Sequence, residues 1–168
     1  MARDRVSDSF RRAKKLSLSP NARARDSIGD KDLGDLYRFR ISQSSSFELN
    51  LSKLKADADV ELFYLSGKTR DARKALGSTE FSALKKRDIK KHLKSITRSR
   101  TRGTKDEEIS TELEDSGWYY VRVTPGRGSK KSTKYTLTLS ATEIVDTPDP
   151  TPDPVPDPTP DPTPDPTP

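Results

Sequence analysis

Apolar and polar residues alternate in five short stretches of this chain, which is the pattern that half-buried β-strands produce. The alternating stretches are residues 37–41, 47–51, 109–113, 119–123 and 135–139. Residues 60–65 form a continuous apolar run, which is typical of a more central strand. Apart from one region, helices do not separate successive runs as they do in α/β folds. The sequence therefore predicts an all-β fold, an antiparallel β-sandwich of jelly-roll-like character.

The exceptional region, residues 68–104, combines helical spacing with many basic residues. Phe81, Leu84, Ile89, Leu93 and Ile96 lie roughly on one stripe of a helix. The cations around that stripe are Lys85, Lys86, Arg87, Lys90, Lys91 and Lys94. We predict an insertion between two strands, helical or disordered, on which these six residues form a basic patch.

Proline occupies every second position from Thr147 to Pro168, in a Thr-Pro-Asp-Pro repeat with one variant at Val155. Proline fixes φ and lacks an N–H, so this segment forms neither a helix nor a sheet ladder. We predict a polyproline II linker of about 70 Å, at about 3.1 Å per residue. The chain divides into a sandwich, residues 1–142, and a linker, residues 143–168. We expect a covalently linked neighbouring domain beyond the linker that is missing here. The alternative, a proline motif for a partner's groove, fits acidic repeats poorly.

The net charge of +6 conceals an asymmetry between the two parts of the chain. The last 22 residues contain five aspartates and no lysine or arginine, so residues 1–146 carry a net charge of +11. Such a basic body favours acidic partners or is simply well solvated. There is no cysteine, which excludes disulfides, thiolate metal sites and a cysteine nucleophile. No apolar run reaches the length of a membrane helix, and the basic N-terminus has no apolar core typical of a signal peptide.

Four segments of the chain follow a recognisable order. These are FRISQSSSFELNL (39–51), LKADADVEL (54–62), SGWYYVRV (116–123) and TKYTLTLSA (133–141). Together with Ile28-Gly29 and the spaced aspartates Asp32 and Asp35, they resemble the bacterial pre-peptidase C-terminal (PPC) domain family. The resemblance covers about residues 8–142, except for the basic insertion.

The resemblance implies a β-sandwich module of a secreted protein, often attached to a protease and itself non-catalytic. Some relatives are removed during maturation. Others bind collagen or polysaccharide and take calcium near the start of the fold. The long insertion and the basic surface both depart from the family pattern, so any inherited ligand needs independent support.

Catalysis has little support in the sequence. His92, the only histidine, lies among Lys90, Lys91 and Lys94, whose charges oppose its protonation as a general base. No Gly-x-Ser-x-Gly nucleophile motif is present. We predict that the chain is not an enzyme and that His92 is a solvent-facing helix residue.

Two other sets of residues are candidate binding sites. Asp30, Asp32 and Asp35 offer closely spaced oxygen donors for calcium, the one candidate cofactor, and the favoured alternative is that they cap a loop. Trp118 and Tyr120 lie on the strand face opposite Tyr119, where they form a platform for sugar or collagen, or pack under a neighbouring segment. Asp57 and Asp59 are predicted to bond backbone N–H groups in a turn.

The sequence thus favours a non-catalytic accessory module of an exported bacterial protein, located outside the cell or at its surface. It would support secretion, folding or attachment of a neighbouring domain such as a peptidase. One alternative is a binding module for a matrix protein or polysaccharide, a polymeric extracellular ligand. Another is an electrostatic nucleic-acid binder that uses the basic insertion. Membrane binding by that insertion is less favoured still.

Overall fold

Two β-sheets pack face to face in this protein, as a computed structural model describes for residues 6–19, 21–29, 32–129 and 131–145. The nine strands of these described residues are β1 (Lys14–Lys15), β2 (Asn21–Ile28), β3 (Asp35–Ile41), β4 (Ser45–Ser52), β5 (Ala58–Leu65), β6 (Leu93–Ser99), β7 (Glu107–Leu113), β8 (Gly117–Pro125) and β9 (Thr133–Glu143). Two helices, α1 (Thr69–Leu76) and α2 (Lys86–His92), lie between β5 and β6. Single 3₁₀ turns occur at Phe10–Arg12 and Phe81–Ala83.

One sheet has five strands in the order β1-β3-β8-β5-β6, and the other has four in the order β2-β9-β4-β7. Neighbouring strands are antiparallel, except that the two-residue β1 runs parallel to β3. Each stretch that the alternating pattern marked lies within one of these strands. The predicted all-β sandwich is confirmed.

The inward-facing side chains of both sheets form the main core. Phe39 lies at its centre, with its ring 5.1 Å from that of Phe47 and 5.6 Å from that of Tyr119. These rings come from three strands and both sheets, so they join the two layers. Their complete burial removes a large apolar area from water, which is the main source of stability in a sandwich.

A second apolar cluster covers the outer face of the five-stranded sheet. An N-terminal segment, residues 6–13, which we call the strap, lies across this face beside α1 and the 3₁₀ turn at Phe81. Phe10 of the strap stacks on Tyr120 with ring centroids 4.6 Å apart, and Phe81 lies 5.4 Å from Phe63. Strap and insertion therefore bury a sheet face that would otherwise expose several large apolar side chains.

The end of the insertion differs from the predicted helical stripe. Leu93 and Ile96 belong to strand β6, which pairs with β5 through a register shift at Leu62/Phe63. The prediction was wrong here because spacing alone cannot distinguish a short helix from a strand edge, and the free edge of β5 offers backbone hydrogen bonds. His92 ends α2 and is 8% exposed, so the prediction that it faces solvent was also wrong.

Strand β9 leads towards the proline-rich repeat. It lies between β2 and β4, and the backbone N–H of Ile144 donates to the carbonyl oxygen of Ser44 at 2.9 Å. The predicted linker, residues 143–168, starts at the last residue of β9, and its residues 146–168 lie outside the described residues.

Candidate functional site

Tyr120 does not form part of an exposed platform, contrary to one of the two interpretations of the Trp118–Tyr120 pair. Its side chain is fully buried beneath Phe10 of the strap. Burial raises the pKa of Tyr120, and the positive charges of Arg38 and Arg73 oppose this shift. The alternative, that such a residue packs under a neighbouring segment, describes Tyr120 correctly.

Trp118 has a different environment at the edge of the second apolar cluster. It is partly buried, with the guanidinium of Arg38 5.2 Å and the ammonium of Lys15 6.0 Å from its ring centroid. Both distances fit cation–π contacts. The exposed Arg40 is the register partner of Trp118 on β3, and Lys15 is that of Arg38. We call these four residues, Lys15, Arg38, Arg40 and Trp118, the Trp118 surface.

The cations of the Trp118 surface carry uncompensated charge. In the described part of the chain, no carboxylate lies within 4.0 Å of the charged nitrogens of Lys15, Arg38 or Arg40. In addition, the buried Nε of Arg38 makes no hydrogen bond to any described residue. Lys15 and Arg40 are exposed and Arg38 is partly buried, and cations held together in this way attract an anionic group.

Arg122 follows Tyr120 on the same strand face, and its charge is fully paired. Its Nε donates to Asp8 Oδ1 at 2.8 Å and its Nη2 donates to Asp8 Oδ2 at 2.7 Å, a bidentate pair. The guanidinium also lies 4.6 Å from the ring centroid of Phe81. Arg122 thereby fastens the strap and the insertion to the sheet. Sequence reasoning missed this pair, because no local pattern connects positions 8 and 122.

The predicted calcium ligands are only partly described. Asp30 lies outside the described residues, and Asp32 Oδ1 accepts a hydrogen bond from the Gly34 N–H at 3.3 Å. Asp35 is buried and accepts a hydrogen bond from the Tyr135 hydroxyl. The described residues contain no group of three or more His, Cys, Asp or Glu side chains that could hold a metal ion. Calcium binding therefore stays a prediction.

Asp35 ends a buried hydrogen-bonded chain between the two sheets. Because Tyr135 donates its proton to Asp35, the Tyr37 hydroxyl acts as donor to Tyr135, at 2.6 Å. Burial raises the pKa of both tyrosines far above the ordinary value, so both remain protonated. These hydrogen bonds join β3 to β9 in the interior.

Three carboxylates near the starts of β5 and β7 contact the loop that follows β6. They belong to Asp57, Asp59 and Glu107. Asp57 Oδ1 accepts from the Gly103 N–H at 3.0 Å, a backbone group 46 positions away in sequence and not one in the local turn that the sequence predicted. Asp59 instead faces Arg100 at 3.8 Å. Burial raises the pKa of Asp59, and the Arg100 charge opposes this.

Glu107 is the residue at this end that sequence reasoning missed. It is completely buried, and both its carboxylate oxygens accept from the Thr101 N–H, at 2.8 and 2.9 Å. The Ser99 hydroxyl also donates to it at 2.5 Å. A glutamate at the start of an alternating strand is normally exposed, so the sequence carried no signal for this role.

The predicted basic patch lies on the surface of the insertion. All six of its side chains are exposed, namely Lys85, Lys86, Arg87, Lys90, Lys91 and Lys94. Four of them are on α2, and Arg87 lies 3.5 Å from Asp88. No helix in the described residues is long and apolar enough to cross a membrane.

His92 has no visible catalytic partner. Its backbone carbonyl accepts from the Ser66 N–H at 2.8 Å. Within the described ranges, no serine hydroxyl or carboxylate hydrogen-bonds to its imidazole, so these residues do not assemble a Ser-His-Asp arrangement there.

Comparison with known proteins finds similarity at the level of structure. No protein-family model and no curated protein matches the chain. The pre-peptidase C-terminal domain of a Bacillus anthracis collagenase is similar over 77% of this chain and 94% of that domain, with 14% identity and a TM-score of 0.47.

Two further solved structures are similar over 77% of this chain. One is a periplasmic inhibitor of g-type lysozyme from Aeromonas hydrophila, covered to 97%, with 14% identity and a TM-score of 0.43. The other is a surface-associated copper-binding protein from Methylomicrobium album BG8, covered to 98%, with 10% identity and a TM-score of 0.47. Likenesses of this degree concern the fold and assign no ligand to this chain.

Proposed function

We propose that this chain is a non-catalytic accessory module of an exported bacterial protein, acting outside the cell or at its surface. It supports secretion, folding or attachment of a neighbouring domain, such as a peptidase, joined through the proline-rich linker. The observation that carries the proposal is the position of β9, which is hydrogen-bonded on both sides within the four-stranded sheet and leads into the repeat.

The position of β9 suits a module that must hold its neighbour. Separating β9 from the fold would break its ladders to both β2 and β4 together with the buried contacts of Tyr135, Leu137 and Leu139. A domain attached after β9 is therefore joined to a strand that is paired on both sides within its sheet. A stiff linker then keeps that domain at a distance from the sandwich.

A secretion assay tests this function. A reporter peptidase fused after Pro168 is exported either with the whole chain or with only the repeat in front of it, residues 146–168. We expect the whole chain to give more active reporter outside the cell, because a folded module precedes the reporter. Equal yields from the two fusions would reject the proposal.

The two binding alternatives are tested separately. The matrix or polysaccharide alternative retains Trp118 as its partly exposed aromatic residue, and Trp118→Ala would abolish retention on insoluble collagen or polysaccharide if it is correct. The nucleic-acid alternative relies on the exposed lysines of α2, and it requires DNA binding that weakens steeply with salt. Retention that Trp118→Ala leaves unchanged would reject the first alternative, and DNA binding that survives replacement of the lysines in residues 85–94 would reject the second.

Calcium binding by Asp30, Asp32 and Asp35 also belongs to this proposal. A ligand that binds the folded state alone stabilises it, so we expect millimolar calcium to raise the thermal midpoint of the wild-type chain. Asp32→Asn should remove that increase while changing the midpoint in chelator only slightly. Identical melting curves with calcium and with chelator would contradict calcium binding.

A further inference from the structure

The Trp118 surface lies at the end of the sandwich where β9 finishes. Glu143 of β9 is paired with Ser45, and the Ser42 hydroxyl donates to Glu143 Oε1 at 3.1 Å. Ser42 follows Arg40 by two residues, and Arg40 is the register partner of Trp118. Two residues of extended chain span about 7 Å, so the described end of β9 at Glu143 lies at the same end of the sandwich as the Trp118 surface.

The repeat has the chemistry that this surface lacks. Its five aspartates recur every four residues, whereas the cations of the Trp118 surface have no carboxylate partner among the described residues. Its prolines recur every second residue, and proline rings pack on aromatic side chains in known recognition of polyproline II segments. An acidic repeat fits a purely aromatic surface poorly. The Trp118 surface, however, combines one aromatic ring with three cations.

The repeat also has sufficient reach. Val145 is the last described residue and is 77% exposed. At about 3.1 Å per residue, Asp149 lies about 12 Å and Asp153 about 25 Å along a polyproline II segment from that point. The outer face of the five-stranded sheet is separated from β9 by one sheet spacing of about 10 Å and the side chains above it. The first two aspartates can therefore reach that face, whereas later ones extend beyond it.

We propose that the first Thr-Pro-Asp-Pro repeats dock on the Trp118 surface of the same chain, with Asp149 and Asp153 facing Lys15, Arg38 and Arg40. Docking gives the linker a fixed starting direction. This deepens the proposed function, on which it rests, because the neighbouring domain is then held in a preferred position. A short tether gives an effective concentration on the order of millimolar, so even weak contacts keep the segment docked.

Trp118 is the only tryptophan of the chain, so its fluorescence reports on this surface alone. The test uses the full chain and the double variant Asp149→Asn/Asp153→Asn, with Asp161→Asn/Asp165→Asn as a matched control. The control removes the same charge from the same repeat at positions too distant to reach. Acrylamide quenching measures how accessible the indole is.

We expect stronger quenching in the Asp149→Asn/Asp153→Asn variant and no change in the control. Loss of two exposed charge pairs should reduce the ratio of docked to free segment about five-fold. Arg40→Gln should also increase quenching, as Asp149→Asn/Asp153→Asn does. In 1 M salt, where the Debye length is about 3 Å, quenching of the wild type should resemble that of the Asp149→Asn/Asp153→Asn variant.

Three results would overturn the proposal. The first is equal quenching in all variants. The second is protection of wild-type Trp118 that disappears on dilution, because the segment would then come from a second copy. The third is protection that only an added acidic polysaccharide or DNA provides, because the surface would then serve an external polymer. The secretion assay is read independently, so a spacer that fails to dock is distinguishable from a chain without an accessory role.

Discussion

Replacing Phe10 by alanine tests whether the strap is an integral part of the fold. Phe10 is 1% exposed and stacks on Tyr120 at 4.6 Å with an angle of 22° between the rings. Removing a buried phenylalanine from a core costs about 3–5 kcal/mol. We expect a loss in the free energy of unfolding near the lower end, about 3 kcal/mol, because the strap covers the sheet from outside and can relax around the cavity.

Urea denaturation of the full chain, followed by circular dichroism, measures this loss. Leu33→Ala is the control, because Leu33 is 54% exposed and its truncation should change stability by less than about 0.5 kcal/mol. Phe10→Leu should recover most of the loss, because it restores most of the volume. In Phe10→Ala the pKa of Tyr120 should also fall towards its ordinary value, because water reaches the ring. A Phe10→Ala variant as stable as Leu33→Ala would refute a structural role for the strap.

Other predictions concern the polar contacts that fasten the sheets and loops. Asp8→Asn leaves Arg122 without its bidentate carboxylate, and we expect the free energy of unfolding in urea to fall by about 2–3 kcal/mol. This is less than the cost for a completely buried pair, because Arg122 is still 17% exposed. A fall below about 0.5 kcal/mol would contradict the fastening role. Glu107→Gln weakens the acceptor for the Thr101 N–H, so hydrogen exchange at that amide should accelerate, and unchanged exchange would contradict its role in holding the loop. The raised pKa of Asp59 means that its charged form is disfavoured in the folded state. Asp59→Asn should therefore stabilise the chain at neutral pH, and the gain should vanish below the ordinary pKa of aspartate; a destabilised variant at neutral pH would reverse the sign of this argument.

The strands of the main core were predictable because their inward-facing residues are large and apolar and recur at every second position. Strand β2 was not, because two of its three buried positions are Ala22 and Ala24, and alanine is depleted in strands. Its alternation with Arg23 and Arg25 is visible in retrospect. Small apolar residues give a weak periodic signal even where they face a core.

Pairs of adjacent apolar residues in the sequence indicate the covered outer face, although the alternating pattern does not. Leu36 precedes Tyr37, Phe63 follows Leu62, and Tyr120 follows Tyr119, and all of these residues are buried. Adjacent large apolar residues in a strand indicate that both faces are covered. Counting such neighbours would have predicted that Tyr120 lies under another segment.

The polar contacts that complete the fold could not be predicted, because they depend on residues distant in sequence. Asp8 meets Arg122 across 114 positions, and Asp35 meets Tyr135 across 100. The two residues of each pair become neighbours only through the register of the sheets, which the sequence alone does not reveal. The same holds for Lys15 and Arg38, which flank Trp118 only because β1 pairs with β3.

The most direct measurement of the proposed function compares export of an active reporter peptidase behind three full-length modules: wild type, Phe10→Ala and Leu33→Ala. If a stable module supports export of its neighbour, the yield of secreted activity should follow module stability. Wild type and Leu33→Ala should then be equal, and Phe10→Ala should be clearly lower at a temperature near its melting midpoint. Equal yields from all three, with Phe10→Ala shown to be destabilised, would contradict the account.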